Sequence, residues 1–422
     1  LRESLSGNTV DFTKISLNKA ILLLSIPMIL EMVMESIFAI TDIFFVSHLG
    51  SEAISAVGLT EAFLVIVYSV GGGLSVAATA VVARRIGEKK SEQASVAAVQ
   101  SILVGLAASA VIAVFGILYA SDLLALMGAS KSVIAIGTPF AAIMLGGNFV
   151  IILLFVINGV LRSSGDAALS MRVLFIANIL NIILDPCLIY GLGPFPELGL
   201  TGAAVATTIG RGTGVLYQLY LLFFGKIRVQ LKLKHLSIDF DVMRHIIKLS
   251  FGTVMQHIAD TIGWIGLVRI VSIFGSAALA GYTIAVRIVI FALLPAWGFS
   301  NSAATLVGQN LGAKQPARAE RSVWITFFFN IGFMTVVGLI LIFFNTLLIR
   351  VFSTEIQVIE LGAESLRFFG FAFRIHWRRH DFYASTKRCR RYFNAAVYQS
   401  FCLSGFRNSI SLLFGNYAKH RT

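Results

Sequence analysis

Charge is scarce in this chain, and proline and cysteine are scarcer. Of 422 residues only 13% are Asp, Glu, Lys or Arg, 7 are Pro and 3 are Cys. So little charge excludes an ordinary soluble multidomain protein, in which about a quarter of the residues are charged. Cys187, Cys389 and Cys402 have no metal-ligand spacing, which excludes a disulfide framework and a zinc site. The His residues do not cluster at ligand spacing either, and no Ser/His/Asp or Cys/His arrangement stands out, which argues against an enzyme. "YSVGGGLSV" (68–76) lies inside an apolar run rather than ahead of a soluble helix, which argues against a phosphate-binding loop.

What the chain has in excess is apolar length. Apolar residues make up 57% of it, and windows of about 20 of them, enough to cross a hydrocarbon core, recur from Ile15 to Phe373. The pattern predicts helices at 17–46, 53–83, 93–119, 131–160, 168–191, 199–224, 242–272, 277–309, 319–348 and 356–373. With residue 1 in the cytoplasm, the inner loops (84–92, 161–172, 226–248 and 312–321) carry 15 Lys/Arg and the outer loops 2, a bias that sets orientation. We therefore expect an all-α integral membrane protein, multi-pass in the cell membrane, with a short cytoplasmic N-terminal lead. The bilayer is its partner, and nucleic acid is not. The net charge of +13 does not alter that reading, because residues 374–422 alone hold 10 Lys/Arg against one acid.

Shifted by 225 residues, the sequence matches itself without gaps over most of its first half. The shift pairs Ser25 with Ser250, Gly50 with Gly275, Ser51 with Ser276, Gly87 with Gly312, Lys89 with Lys314 and Gly137 with Gly362. Six spans per repeat is an even number, so both repeats enter from the same side and form parallel lobes about an axis along the membrane normal. The expected division is an N-lobe at 1–224, a cytoplasmic linker at 225–241 and a C-lobe at 242–373. Twelve helices are expected and about ten are present. A cleft between two rocking lobes suits alternating access, and the chain shows neither the selectivity loop nor the ring of like charge of a channel.

Ionisable groups in a bilayer are functional candidates by default. Glu31, Glu35 and Asp42 share one face of the first helix, and Asn178, Asn181 and Asp185 share one face of the fifth. Carboxylates flanked by amide oxygens suit a titrating acid or a Na⁺ site. The plainer reading is that these groups cap helix ends, pair with loop lysines or line a wide aqueous cleft. Under the 225-residue shift Gln256 falls on Glu31 and Asp260 on Glu35, so all four are cleft-lining candidates. Pro27 removes a backbone hydrogen bond in mid-helix and permits a bend, with Gly252 at the matching place.

Several stretches together resemble the MATE (multidrug and toxic compound extrusion) transporters. They are "SIPMILEMVMESIFAITDIFFVSHLGSEAISAVGL", "NGVLRSSGDAALSM", "NILNIILDP" and "LGLTGAAVATTIGR" in the first half, and "GSAALAGYTIAVRI" and "AATLVGQNLGAKQPARAE" in the second. The resemblance covers residues 10–373. It implies two six-helix lobes around a V-shaped cleft, and antiport of cationic or amphipathic compounds against Na⁺ or H⁺, with no other cofactor and with a monomer as the working unit. It also implies an ion-coupling cluster at Asp42, Asn158, Asn181 and Asp185, with Na⁺ held by Asp42, Asn181 and Asp185, and Pro27 as the bending proline. Glu31 and Glu35 are not carried over by the resemblance. The aromatic residue often associated with that cluster is replaced by Phe38 or Phe140. A flippase of lipid-linked saccharides with similar architecture is the alternative, and a membrane-embedded enzyme is a weaker one.

The chain changes character at "FGFAFRIHWRRHDFYASTKRCRR" (369–391). The repeat requires the Gly165-Asp166 pair again at 390 and 391, where the sequence has Arg390 and Arg391. Read one nucleotide forward, codons for Lys387 to Tyr392 permit Asn-Gly-Ala-Gly-Asp-Thr, with Gly-Asp at those positions. We read 374–422 as out of frame, and expect a second lobe without its closing helices to transport little.

Overall fold

In lipid, backbone polar groups find partners only within a helix or a closed barrel. The computed structural model describes residues 4, 11–225 and 227–384, and these form helices and no strand. The first half contains α1 (Leu17–Ser47), α2 (Ser51–Gly87), α3 (Ser91–Leu118), the short α4 (Ala120–Leu126), α5 (Lys131–Gly146), α6 (Asn148–Ser164), α7 (Ala167–Tyr190) and α8 (Leu200–Phe224). The second contains α9 (Phe240–Ser272), α10 (Ser276–Gly312), α11 (Pro316–Phe343), the short α12 (Asn345–Arg350) and α13 (Ile356–Ala384). Among the described residues seven helical segments are long and apolar enough to cross a membrane: α1, α2, α3, α5 with α6, α7, α10 and α11. Arg211 and Gln218 lower the hydropathy of α8, and several charged residues lower that of α9.

The duplication is visible in the backbone. Helices α2 and α10 are both 37 residues long, α3 and α11 both 28, and each pair starts 225 residues apart. Gly50 and Gly275, ahead of α2 and α10, have φ of 100° and 102°. Lys89 and Lys314, in the loops that follow, hold φ of 60° and 59°, a left-handed conformation uncommon outside glycine. Helix α1 packs on α10 of the other half, and α9 packs on α2. A Cβ at Gly73 would stand 2.6 Å from Val254, and one at Gly298 would stand 2.9 Å from Ile29. Those two contacts exchange under the 225-residue shift, as a two-fold axis between the halves requires.

The boundaries differ from the sequence reading in several places: α4 lies in a stretch read as a loop, and the predicted span at 319–348 is α11 followed by α12. The predicted span at 131–160 is two helices, broken at Gly147, where the Asn148 amide nitrogen donates to the carbonyls of Leu145 and Ser109 at 2.6 and 3.0 Å. Its second part runs on to Ser164 and stops at Gly165, which adopts the left-handed conformation. The last helix does not end at 373 but continues to Ala384, because 374–384 contains neither Gly nor Pro to stop it. Positions 390 and 391, with Cys389 and Cys402, lie outside the described residues.

Candidate functional site

The shared face of α1 carries three tiers of polar contacts, separated by about 6 and 10 Å at 1.5 Å rise per residue. In the first, Glu31 is buried at 1% exposure. Its Oε1 accepts from Arg162 Nη1 at 3.2 Å and Asn158 Nδ2 at 3.5 Å, and its Oε2 accepts from Ser170 Oγ at 3.0 Å. Arg162 Nη2 also donates to Ser75 Oγ at 3.2 Å, and Gln218 Nε2 donates to Asn158 Oδ1 at 2.7 Å. A buried ion pair is tolerable only when its remaining polar atoms find partners, and this one has them. Glu31 therefore stands inside the lobe and not on a cleft wall. Asn158 belongs to its network rather than to the tier of Asp42.

In the second tier Arg211 Nη2 donates to Glu35 Oε1 at 2.7 Å, and Asn178 Nδ2 to Glu35 Oε2 at 3.2 Å. The guanidinium also lies over the Phe38 ring, 5.1 Å from its centroid. The Glu35 side chain is 27% exposed and that of Arg211 only 4%, so the acid reaches open space while its partner does not.

The third tier is different. Asp42 and Asp185 are close enough to interact electrostatically, yet neither is in a salt bridge among the described residues. Asp42 Oδ1 is shut off from solvent with no hydrogen-bond partner. Asn181, oriented to satisfy its amide, donates to Asp185 Oδ2 at 3.1 Å and accepts from Thr207 N and Oγ1 at 3.0 and 3.2 Å. Among the described residues no cluster of three or more His, Cys, Asp or Glu is placed to hold a metal. The donors here are hard oxygens of two carboxylates with an amide and a hydroxyl nearby. Such a set suits a small monovalent cation or a proton and not a soft transition metal. The orphaned Asp42 Oδ1 is the atom such a cation would satisfy.

Gln256 and Asp260 belong to the helix that packs on α2. They lie half-buried on α9, where the neighbouring His257 ring packs against Gly72 of α2. Pro27 is buried in an α1 that runs unbroken through it. The two halves meet at the ends whose loops carry the Lys/Arg. There Gln309 Nε2 donates to the Ser163 carbonyl at 2.8 Å, and Arg318 Nη2 donates to the carbonyls of Phe12, at 3.1 Å, and Ile15. Phe12 is itself buried, and a Cβ at Gly165 would be 2.7 Å from its ring.

Sequence reading passed over Arg162, Ser170, Arg211, Gln218 and Thr207. Arg162 counted as a loop charge because the helix was ended at 160. Arg211 is a lone charge in the middle of an apolar span, and the rule for intramembrane ionisable groups would have found it.

The MatE family model matches residues 27–187 and 254–375, so its second stretch ends beside the change of composition at 374. The chain is similar to the FAD transporter of Shewanella oneidensis, 28% identical over 348 residues, covering 82% of this chain and 76% of that protein. It is also similar to the probable multidrug resistance protein NorM of Thermotoga maritima, 27% identical over 359 residues, with 84% and 76% covered. Its fold is similar to that of a MATE protein crystallised with MaL6, at a TM-score of 0.80 and 24% identity, covering 96% of this chain and 87% of that one.

Proposed function

The chain belongs to the MatE family, which makes it a multi-pass membrane transporter of small organic compounds and not an enzyme, and on that premise we propose that it exports its cargo by antiport against Na⁺ or H⁺. Asp42 and Asp185 bind the coupling ion, with Asn181, itself held by Thr207, fixing Asp185. The observation that carries this reading is the division of charge along α1. Glu31 and Glu35 are each paired with an arginine, at 3.2 and 2.7 Å, whereas Asp42, and Asp185 of α7 within electrostatic reach of it, form no salt bridge among the described residues. Two carboxylates in so dry a place repel unless a proton or a small cation joins them.

The lobes are 1–224 and 242–373, joined by the linker 225–241 and acting as a monomer in the cell membrane, with the N-terminus and the Lys/Arg-rich loops in the cytoplasm. In that orientation the halves are closed at the cytoplasmic end, and Pro27 gives α1 a point about which to bend. The cargo is a cationic or amphipathic organic compound, and no cofactor beyond the ion takes part. The arginines of the first two tiers are occupied by acids, which favours this cargo over a phosphate-linked saccharide.

Vesicle transport tests the reading, with ethidium and FAD as paired cargoes. It is run on this chain and on the same chain with its frame restored at about residue 374. Ethidium export that collapses with the Na⁺ or H⁺ gradient in the restored chain supports it. Export that ignores both gradients, or that survives Asp42→Asn and Asp185→Asn, overturns it.

A further inference from the structure

We propose that Arg211 is an internal competitor for the coupling ion, a guanidinium that moves from Glu35 to Asp42 when the ion leaves and so exposes Glu35 to cationic cargo. The proposal rests on the reading of Asp42 as an ion ligand and adds the device that makes ion and cargo exclude one another.

Three observations carry it. The guanidinium lies over Phe38, which stands on α1 between Glu35 and Asp42, about one turn from each. Arg211 is thus already placed between the two acids while bonded to one of them. Second, Arg211 Nε and Asp42 Oδ1 are both shut off from solvent without a hydrogen-bond partner among the described residues. A donor and an acceptor left unsatisfied in one buried region cost free energy, and each is what the other lacks. Third, the sequence Gly210-Arg211-Gly212 leaves the guanidinium's neighbours without side chains. Gly210 lets α8 approach so closely that a Cβ there would meet Asn181 Cβ at 2.9 Å, which sets Arg211 beside the Asp42 and Asp185 tier. Glu61 of α2 and Asp185 of α7, both acids, also act in this tier; Arg287 acts on Glu61, and Arg211 is the cation that acts on Asp42 itself.

With the ion bound, Asp42 is neutralised and Arg211 stays on Glu35. When the ion leaves, the bare Asp42 and Asp185 attract the guanidinium. Glu35, whose side chain reaches solvent, is then an uncompensated carboxylate open to a cation. Cargo binding holds Arg211 on Asp42 and keeps the ion out. Ion binding returns Arg211 to Glu35 and expels the cargo.

The test is the thermal unfolding midpoint of the purified full chain, with Na⁺ titrated against choline at constant ionic strength and a parallel titration of H⁺ without Na⁺. Arg211→Gln removes the competitor and should lower the half-saturating ion concentration by about tenfold, while Glu35→Gln frees the arginine for Asp42 and should raise it about as much. The double variant, which restores a neutral pair, should bind the ion as tightly as Arg211→Gln. Equal-direction shifts in the two single variants, no shift in either, or a double variant that returns to the starting affinity would show that Arg211 only holds the fold, and the proposal fails. An ion response absent from the unaltered chain, or unchanged by Asp42→Asn, instead overturns the ion site on which it rests.

Discussion

Gly87 meets the carbonyl of Gln309 so closely that a Cβ on residue 87 would stand 2.0 Å from that oxygen, and its counterpart Gly312 stands in the same relation to Arg84, at 2.1 Å. The second helices of the two halves, α2 and α10, are in backbone contact at one end. No side chain larger than hydrogen fits at either position.

Alanine at Gly87 should therefore prise this seam open, and alanine at Gly312 should do the same because the contact is reciprocal. Overpacking of a close helix contact costs about 1–3 kcal/mol. The readout is disulfide cross-linking between cysteines placed at Ser163 and Gln309, where the Gln309 side-chain amide donates to the Ser163 carbonyl at 2.8 Å. Cross-linking should fall in both variants, and an undiminished yield would mean that the glycines do not govern closure.

A strap at the N-terminal end reinforces the same seam. Phe12 packs on Gly165 of the first half while Arg318 of the second donates to the carbonyls of Phe12 and Ile15. Phe12→Ala removes a buried ring, at about 3 kcal/mol for such a change, and should loosen the seam in the cross-linking assay. Arg318→Gln should loosen it with a smaller loss of thermal stability, since the ring stays.

The Glu31 and Arg162 pair should behave as a structural ion pair. Arg162→Met leaves a buried carboxylate without its cation and should destabilise the protein by about 3–5 kcal/mol. Adding Glu31→Leu should recover most of that loss. Thermal unfolding in detergent measures both, and a single variant as stable as the unaltered chain would contradict the network.

Much of this architecture was legible in the residue order because lipid leaves helices little choice and because Lys/Arg mark the loops. The repeat was legible through its loop residues, Gly50 with Gly275 and Lys89 with Lys314, whose positive φ values show why the pattern persists. Periodicity also placed Glu31, Glu35 and Asp42 on one face. It could not say which of them is neutralised, because their partners Arg162 and Arg211 are 131 and 176 residues away. Nor could it separate Asn158 from Asp42, since that depends on how α6 and α8 pack around Ser170 and Gln218. The short α4 reads as a loop in the sequence and most of α12 as the end of the helix before it, because too few residues reveal a period.

If residues 374–422 are out of frame, the gene carries the mark of it. Sequencing across codons 370–395 should show a frame in which a one-nucleotide shift encodes Gly-Asp at 390 and 391. An uninterrupted gene that cannot encode that pair would end the idea.

The exchange of ion for cargo is tested most directly by watching the ion leave. Ethidium is added to the purified protein in detergent, and displaced ²²Na⁺ is counted, or released protons are followed with a pH indicator when Na⁺ is absent. The unaltered chain should release ion in proportion to the ethidium bound, and Asp42→Asn and Asp185→Asn should release none. Ethidium binding without ion release, or release that persists in both variants, would contradict the account.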